Sequence, residues 1–203
     1  MDSDERLLWH MRKGDDAAIE LFVRKYYPPV FQYCRRRAKD IYMAEDLTQE
    51  TFERFFRNFS EYEHRGKTIN YLYTIAGNLC RDFYKAGSGI ELPAEDVNML
   101  LAEISARQRE DDGKLFYNPI SSLAEQMDLE NAISRLPEVY RESIVLYFFC
   151  GMKQKEIAEA LNVKLRVVKY RIRKGRELLK KMLEEERLYD GAGTEGSTYQ
   201  KND

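Results

Sequence analysis

Met152-Lys-Gln-Lys-Glu-Ile-Ala-Glu-Ala-Leu-Asn-Val-Lys-Leu-Arg-Val-Val-Lys-Tyr-Arg-Ile-Arg-Lys-Gly-Arg176 reads as two helices joined by a tight turn, the second of them basic. Ile157, Ala158 and Leu161 share one helical face, Asn162-Val163 breaks the pattern, and Val168, Ile172, Gly175 and Leu179 resume it at three-to-four spacing. Small Ala158 lets the first helix approach the second, and Asn162 tolerates the left-handed backbone such a turn needs. With the apolar row inward, the opposite face carries Arg166, Lys169, Tyr170 and Arg173, placed to enter a major groove. Arg171, Lys174 and Arg176 flank it, where phosphates are met. A solvated basic helix is the bland alternative. Apolar spacing on both sides of a breaker, with cations on the face such a motif exposes, favours DNA binding.

Working outward, 203 residues suffice for one large or two small domains. The longest apolar run, Ile144 to Met152, is far too short to span a bilayer, and the acidic start Met1-Asp-Ser-Asp-Glu differs from a secretory signal. A cytoplasmic location is expected. Cys34, Cys80 and Cys150 lack disulfide or metal spacing and read as buried free thiols. The 33 basic and 35 acidic residues nearly cancel, but they are segregated. Residues 150–187 carry twelve Lys and Arg against six acids, and residues 86–130 three against ten, so different segments suit partners of different sign.

The N-terminal half is a series of amphipathic helices. Asp4 to Lys13 ends at Gly14, Asp15-Asp16 can cap a helix from Ala17 to Tyr26, and Pro28-Pro29 is expected to close that helix and open another reaching about Lys39. Arg35-Arg36-Arg37 then suits a helix C-terminus. Ala44 to Arg57 buries Leu47, Thr51 and Phe55 and exposes Asp46, Gln49, Glu50 and Glu53, which by themselves read as a solubilising face. After a polar loop containing Tyr62, Thr68 can cap a helix with Ile69, Leu72, Ile75, Ala76, Leu79 and Phe83 inward. Its exposed row is Tyr71, Thr74, Asn78, Arg81 and Lys85, an aromatic with polar groups and cations, as a single nucleic-acid strand requires. An ordinary amphipathic helix is the competing reading.

The order Ala44-Glu-Asp-Leu-Thr-Gln-Glu50, then Tyr71-Leu-Tyr-Thr-Ile-Ala-Gly-Asn78 with Asp82 and Lys85, then a C-terminal helix-turn-helix, resembles bacterial sigma factors of the extracytoplasmic-function group within the sigma-70 family. The resemblance covers about residues 4–87 and 122–185. It implies an all-α fold of two small helical domains, at 1–87 and 122–187, joined by a flexible acidic linker over 88–121 and followed by a disordered tail over 188–203. It implies core RNA polymerase as a partner for Asp46, Gln49, Glu50 and Glu53. Promoter DNA would meet Tyr62, Tyr71, Thr74, Asn78, Arg81 and Lys85 at the downstream, minus ten element. Lys164, Arg166, Lys169, Tyr170, Arg173, Lys174 and Arg176 would meet the upstream, minus thirty-five element. An anti-sigma factor is the further implied partner. Tyr71 stands where the family usually has tryptophan, and Lys164, Arg166 and Val167 replace small, acidic or hydroxylated residues, so promoter preference does not carry over.

The core candidates of the second half are Leu123, Met127, Leu129, Ile133, Leu136, Val139, Ile144, Leu146, Tyr147 and Phe148, and Val97 to Ile104 reads as a helix within the linker. His10 and His64 are isolated, and neither a phosphate loop nor a metal-ligand spacing stands out, so no enzyme activity, cofactor or small-molecule substrate is expected. The rival function is a two-domain regulator that binds DNA without joining polymerase. Asp46-Leu-Thr-Gln-Glu50 and the aromatic helix after it argue against that, since a simple repressor has no need of them.

Overall fold

The computed structural model describes residues 3–87 and 123–192, with side chains for 3–84 and 127–185. The expected linker, with its Val97–Ile104 helix, and the end of the chain from 193 lie outside the described residues. Four helices build the first half: α1 (Ser3–Arg12), α2 (Asp16–Arg35), α3 (Ile41–Arg57) and α4 (Thr68–Gly87). The second half holds α5 (Leu123–Arg135), α6 (Glu138–Ile144) running into a π turn at Val145–Phe149, α7 (Gln154–Ala160) and α8 (Leu165–Ala192). All described regular structure is helical.

Local chemistry sets most boundaries. Asp15 accepts from the backbone N–H groups of Ala17 and Ala18 at the start of α2, and Asp40 accepts from that of Met43 at the start of α3. Helix α2 is continuous through Pro28 and Pro29, against the expectation of a break. Both prolines sit off the buried row, which runs without interruption through Phe22, Tyr26, Val30, Tyr33 and Cys34. Packing against α3 and α4 thus outweighs the missing donors. Phe22 stacks on Phe55 with ring centroids 4.8 Å apart, and Phe52, Phe56 and Tyr62 extend the aromatic core.

In the second half Asn162 takes the left-handed conformation, φ 52°, and the turn closes through Val163 N–H to the Ala158 carbonyl at 3.0 Å. Gly175 is required where α8 crosses α6, since a Cβ there would lie 2.7 Å from Ile144 Cγ1. Met127 proves exposed, and Ala132, Tyr140 and Val145 join the core in its place. Phe83 is likewise exposed, because Cys80 and Tyr84 turn inward at the end of α4, where the Tyr84 hydroxyl donates to the Arg37 carbonyl. Helix α8 continues through 188–192, which were expected to belong to the disordered tail. Pairs such as Lys180–Glu184 at 3.7 Å and Lys181–Glu185 at 3.9 Å suit an exposed helical extension.

The two halves pack against each other, α7 on α4 and the π turn on α2. The Cys150 N–H bonds to the Val145 carbonyl, five residues back, at 3.0 Å. This one-residue slip accompanies contacts of Phe149 and Cys150 with the first half. Arg36 lies over the Phe149 ring at 4.3 Å, and Cys150 meets Tyr73.

Candidate functional site

Three surfaces of distinct chemistry emerge. The first is the outer face of α3, where Asp46, Gln49 and Glu53 are exposed and Glu50 is half-covered. Gln49 donates to Glu53 at 3.0 Å and Arg54 pairs with Glu50 at 2.7 Å, contacts that hold the row in order without hiding it. Tyr42 extends this row one turn toward the N-terminus and is 75% exposed. Sequence reasoning passed over it. The signal available was its spacing of four before Asp46, which puts an aromatic on a face otherwise polar.

The second surface begins where the polar loop meets α4. Tyr71, 37% exposed, stacks on Tyr62, with centroids 4.8 Å apart and planes 29° from parallel. Tyr62, expected among the residues that meet DNA, is instead buried beneath it. Burial raises the Tyr62 pKa, so its hydroxyl stays protonated. Thr74 is partly covered and donates to the Asn70 carbonyl at 2.9 Å, while Asn78 is exposed and accepts from Arg81. The Lys85 side chain lies outside the described residues.

Arg81 points across to the second half, where it pairs with Glu142. Glu142 also takes Arg37 at 2.7 Å, and Arg37 bonds Glu138 through Nε at 2.8 Å and donates to the Tyr33 hydroxyl. Arg37 is fully buried and Glu142 is 3% exposed. Burial opposes the charge on Arg37, but Glu142 foremost among its neighbours more than offsets this, and its pKa is raised. Removing one member of such a buried pair typically costs about 3–5 kcal/mol, because the other charge is left without compensation. Arg36 with Glu130 at 2.9 Å and Lys67 with Glu156 at 3.5 Å flank this cluster at the interface. The run Arg35-Arg36-Arg37 thus does more than suit a helix end.

The third surface is on α8. Lys164 and Arg166 are exposed, and Lys169, Arg173, Lys174 and Arg176 are partly covered. Arg166, Lys169, Arg173 and Arg176 follow one another at spacings of three and four, so Arg176 belongs to the outward row. Arg173 lies over the Tyr170 ring at 5.7 Å and 3.8 Å from Glu177. Tyr170 itself is 2% exposed, with the Tyr140 ring 6.5 Å away, and is not on the outward row. Arg171 is also largely withdrawn from solvent, and burial lowers its pKa. The physical reason is that α5, α6 and α7 all pack on α8, covering a wider arc than the single apolar stripe read from sequence.

Among the described residues no three His, Cys, Asp or Glu side chains gather as a metal site, and no helix is long and apolar enough to cross a membrane. The three surfaces fall within segments similar to known proteins. Residues 22–89 match the family described as Sigma-70 region 2, and residues 126–179 match Sigma-70, region 4. The ECF RNA polymerase sigma factor SigW of Bacillus subtilis is 33% identical over 178 residues, 85% of this chain and 92% of that protein. SigE of Mycolicibacterium smegmatis, also described as an ECF RNA polymerase sigma factor, is 33% identical over 176 residues, 84% of this chain and 64% of its own length. In fold, the chain resembles CnrH, solved with the cytosolic domain of CnrY, at a TM-score of 0.63 and 21% identity over 91% of this chain and 99% of that one. It also resembles RpoE of Bartonella quintana, solved with the anti-sigma factor NepR, at a TM-score of 0.57 and 17% identity, covering 82% and 96%.

Proposed function

The chain belongs to the sigma-70 family, in its extracytoplasmic-function group, and from that membership we propose how its surfaces divide the work of directing RNA polymerase to promoters. It is an alternative sigma factor, a partner of core polymerase and of promoter DNA. Helix α3 is the docking face for the polymerase. Asp46, Gln49, Glu50 and Glu53 supply charge and hydrogen bonds, and Tyr42 supplies an aromatic anchor of the kind that dominates protein interfaces. The row Tyr71, Thr74, Asn78, Arg81 and Lys85 on α4, with Tyr62 supporting Tyr71, holds the opened downstream strand. On α8, Arg166, Lys169 and Arg173 face bases of the upstream element, while Lys164, Lys174 and Arg176 hold phosphates. The domains are taken as 1–87 and 122–187.

An anti-sigma factor is the further partner, as the pairing of the similar RpoE with NepR suggests. Tyr170 supports the recognition helix from within and is not assigned to DNA. The observation that carries the docking assignment is an orderly acidic row, solvent-facing and continued by an exposed tyrosine, on a helix whose other side is fully engaged in the core. The test is cosedimentation with core polymerase. Asp46→Lys with Glu50→Lys should abolish binding while circular dichroism stays unchanged, since exposed substitutions usually shift stability by about 0.5 kcal/mol or less. Binding as tight as that of the unaltered protein overturns the assignment.

A further inference from the structure

Tyr62 has two roles at once. Its ring lies under Tyr71, and its backbone opens the loop that leads to α4, since residues 62–67 belong to no helix. The residue is extended, φ −68° and ψ 119°, at the exit of a single 3-10 turn, Phe59–Glu61. What fixes that exit comes from far away in the chain. Arg12, at the end of α1, donates from Nη2 to the Tyr62 carbonyl at 2.5 Å, across 50 residues, and its guanidinium lies 5.8 Å from the centre of the Phe59 ring. One side chain of α1 thus holds both ends of the turn. Hydrogen bonds from a cation are among the stronger ones in proteins, and a carbonyl that is held fixes the peptide plane that aims the next residue. Beyond it Glu63, Arg65, Gly66 and Lys67 are exposed, and the Thr68 hydroxyl meets His64 Nδ1 at 3.3 Å.

We propose that Arg12 is a positioning residue for promoter selection: by holding the Tyr62 carbonyl and the Phe59 ring it sets the gap between the Tyr71 platform and the loop 63–67, and with it which base lodges there. The proposal rests on reading the α4 row as the strand-binding surface, and it adds a determinant on α1, outside all three surfaces. Arg12 need not touch DNA. Stacking on Tyr71 alone is tolerant of sequence, because every base has a π face, so discrimination must come from groups beside the stacked base. The loop is the segment that borders Tyr71 through Tyr62. A site loosened by about 1 Å loses its fit, so losing the tether should blur the choice of base more than it weakens attachment of the strand. Arg12 is itself exposed and outside the core, which leaves the fold tolerant of its replacement.

The experiment uses holoenzyme reconstituted from core polymerase and the full chain. It is offered a pool of DNA fragments randomised in both promoter elements, duplex at the upstream one and single-stranded at the downstream one, and the bound fragments are sequenced. Arg12→Ala should keep cosedimentation with polymerase, circular dichroism and the upstream preference, yet reduce the enrichment of the favoured base over the next at one downstream position by about fivefold or more, as loss of one charge-assisted hydrogen bond allows. Arg12→Lys should restore most of that preference, because the carbonyl takes a single donor and an ammonium supplies one. A merely structural role would weaken all fragments alike and leave the ranking of bases unchanged. That result, or an unchanged ranking at full binding, overturns the positioning role. Tyr71→Ala is measured alongside. A shift at the same position shows platform and tether acting on one base, and a shift at a different position overturns the shared gap. If Arg12→Ala shifts the ranking and Tyr71→Ala does not, the tether stands and the strand-binding reading of α4 is what fails.

Discussion

Tyr71 lies stacked on Tyr62, ring centroids 4.8 Å apart, so the exposed aromatic of α4 rests on a buried one instead of projecting freely. A platform supported in this way loses little conformational freedom when a base stacks on it. Base stacking on an aromatic is worth about 1–3 kcal/mol, comparable with the few kcal/mol that unstacking a base demands. Tyr71→Ala combined with Asn78→Ala should therefore leave polymerase binding and upstream duplex recognition intact while lowering open-complex formation. Permanganate reactivity of downstream thymines is the measurement, and a pre-melted promoter should restore much of the lost activity. Unchanged reactivity on duplex promoter means that the row is only a solvated helix face.

The crossing of α6 and α8 makes a separate prediction about stability. A methyl group added at Gly175 would meet Ile144 Cγ1 at 2.7 Å and Cδ1 at 3.0 Å, well inside normal contact. Overpacking of this kind costs about 1–3 kcal/mol, against which the better helix propensity of alanine returns up to about 1 kcal/mol. Gly175→Ala should lower the thermal midpoint. Ile144→Ala alone should also destabilise, by leaving a cavity, but the double substitution should cost less than the sum, since the new methyl fills part of the space vacated. Strict additivity in thermal unfolding counts against this packing.

How far the sequence disclosed this arrangement depended on the range of the determining interactions. Asn162 at its positive φ, Asp15 as a cap and Gly175 in the core row were legible because spacing and residue type settle them locally. The two prolines misled, because their local cost was outweighed by a buried row that α3 and α4 cover. Arg35, Arg36 and Arg37 look alike in sequence. What separates Arg37 is a pair of carboxylates 101 and 105 residues later, a relationship no helical period reveals. Tyr170 failed for a related reason, since its burial depends on how many helices crowd α8. The acidic row of α3 was ambiguous from its own residues, and the docking role proposed for it came from family resemblance.

Cys150 offers a native reporter of closure, because it belongs to the second half and its thiol meets Tyr73 of the first. Burial pushes the thiol up from 9.0 to about 12, and burial likewise raises the Tyr73 pKa. At pH 8 the thiol is therefore held almost wholly in its unreactive protonated form. The sign of the linkage follows. Below pH 9 the thiol is protonated whether the halves are together or apart, and its contribution to closure is complete. Between 9 and 12 only the separated form gives up its proton, so closure weakens as pH rises through that window. Iodoacetamide labelling followed by peptide mapping should accordingly accelerate at Cys150 above pH 9, ahead of Cys34 and Cys80, which are fully buried within the first half. Glu142→Gln should bring the same acceleration at pH 8 by opening the interface directly. Modification of Cys34 or Cys80 before Cys150 would mean that the first half loosens internally before the two halves part.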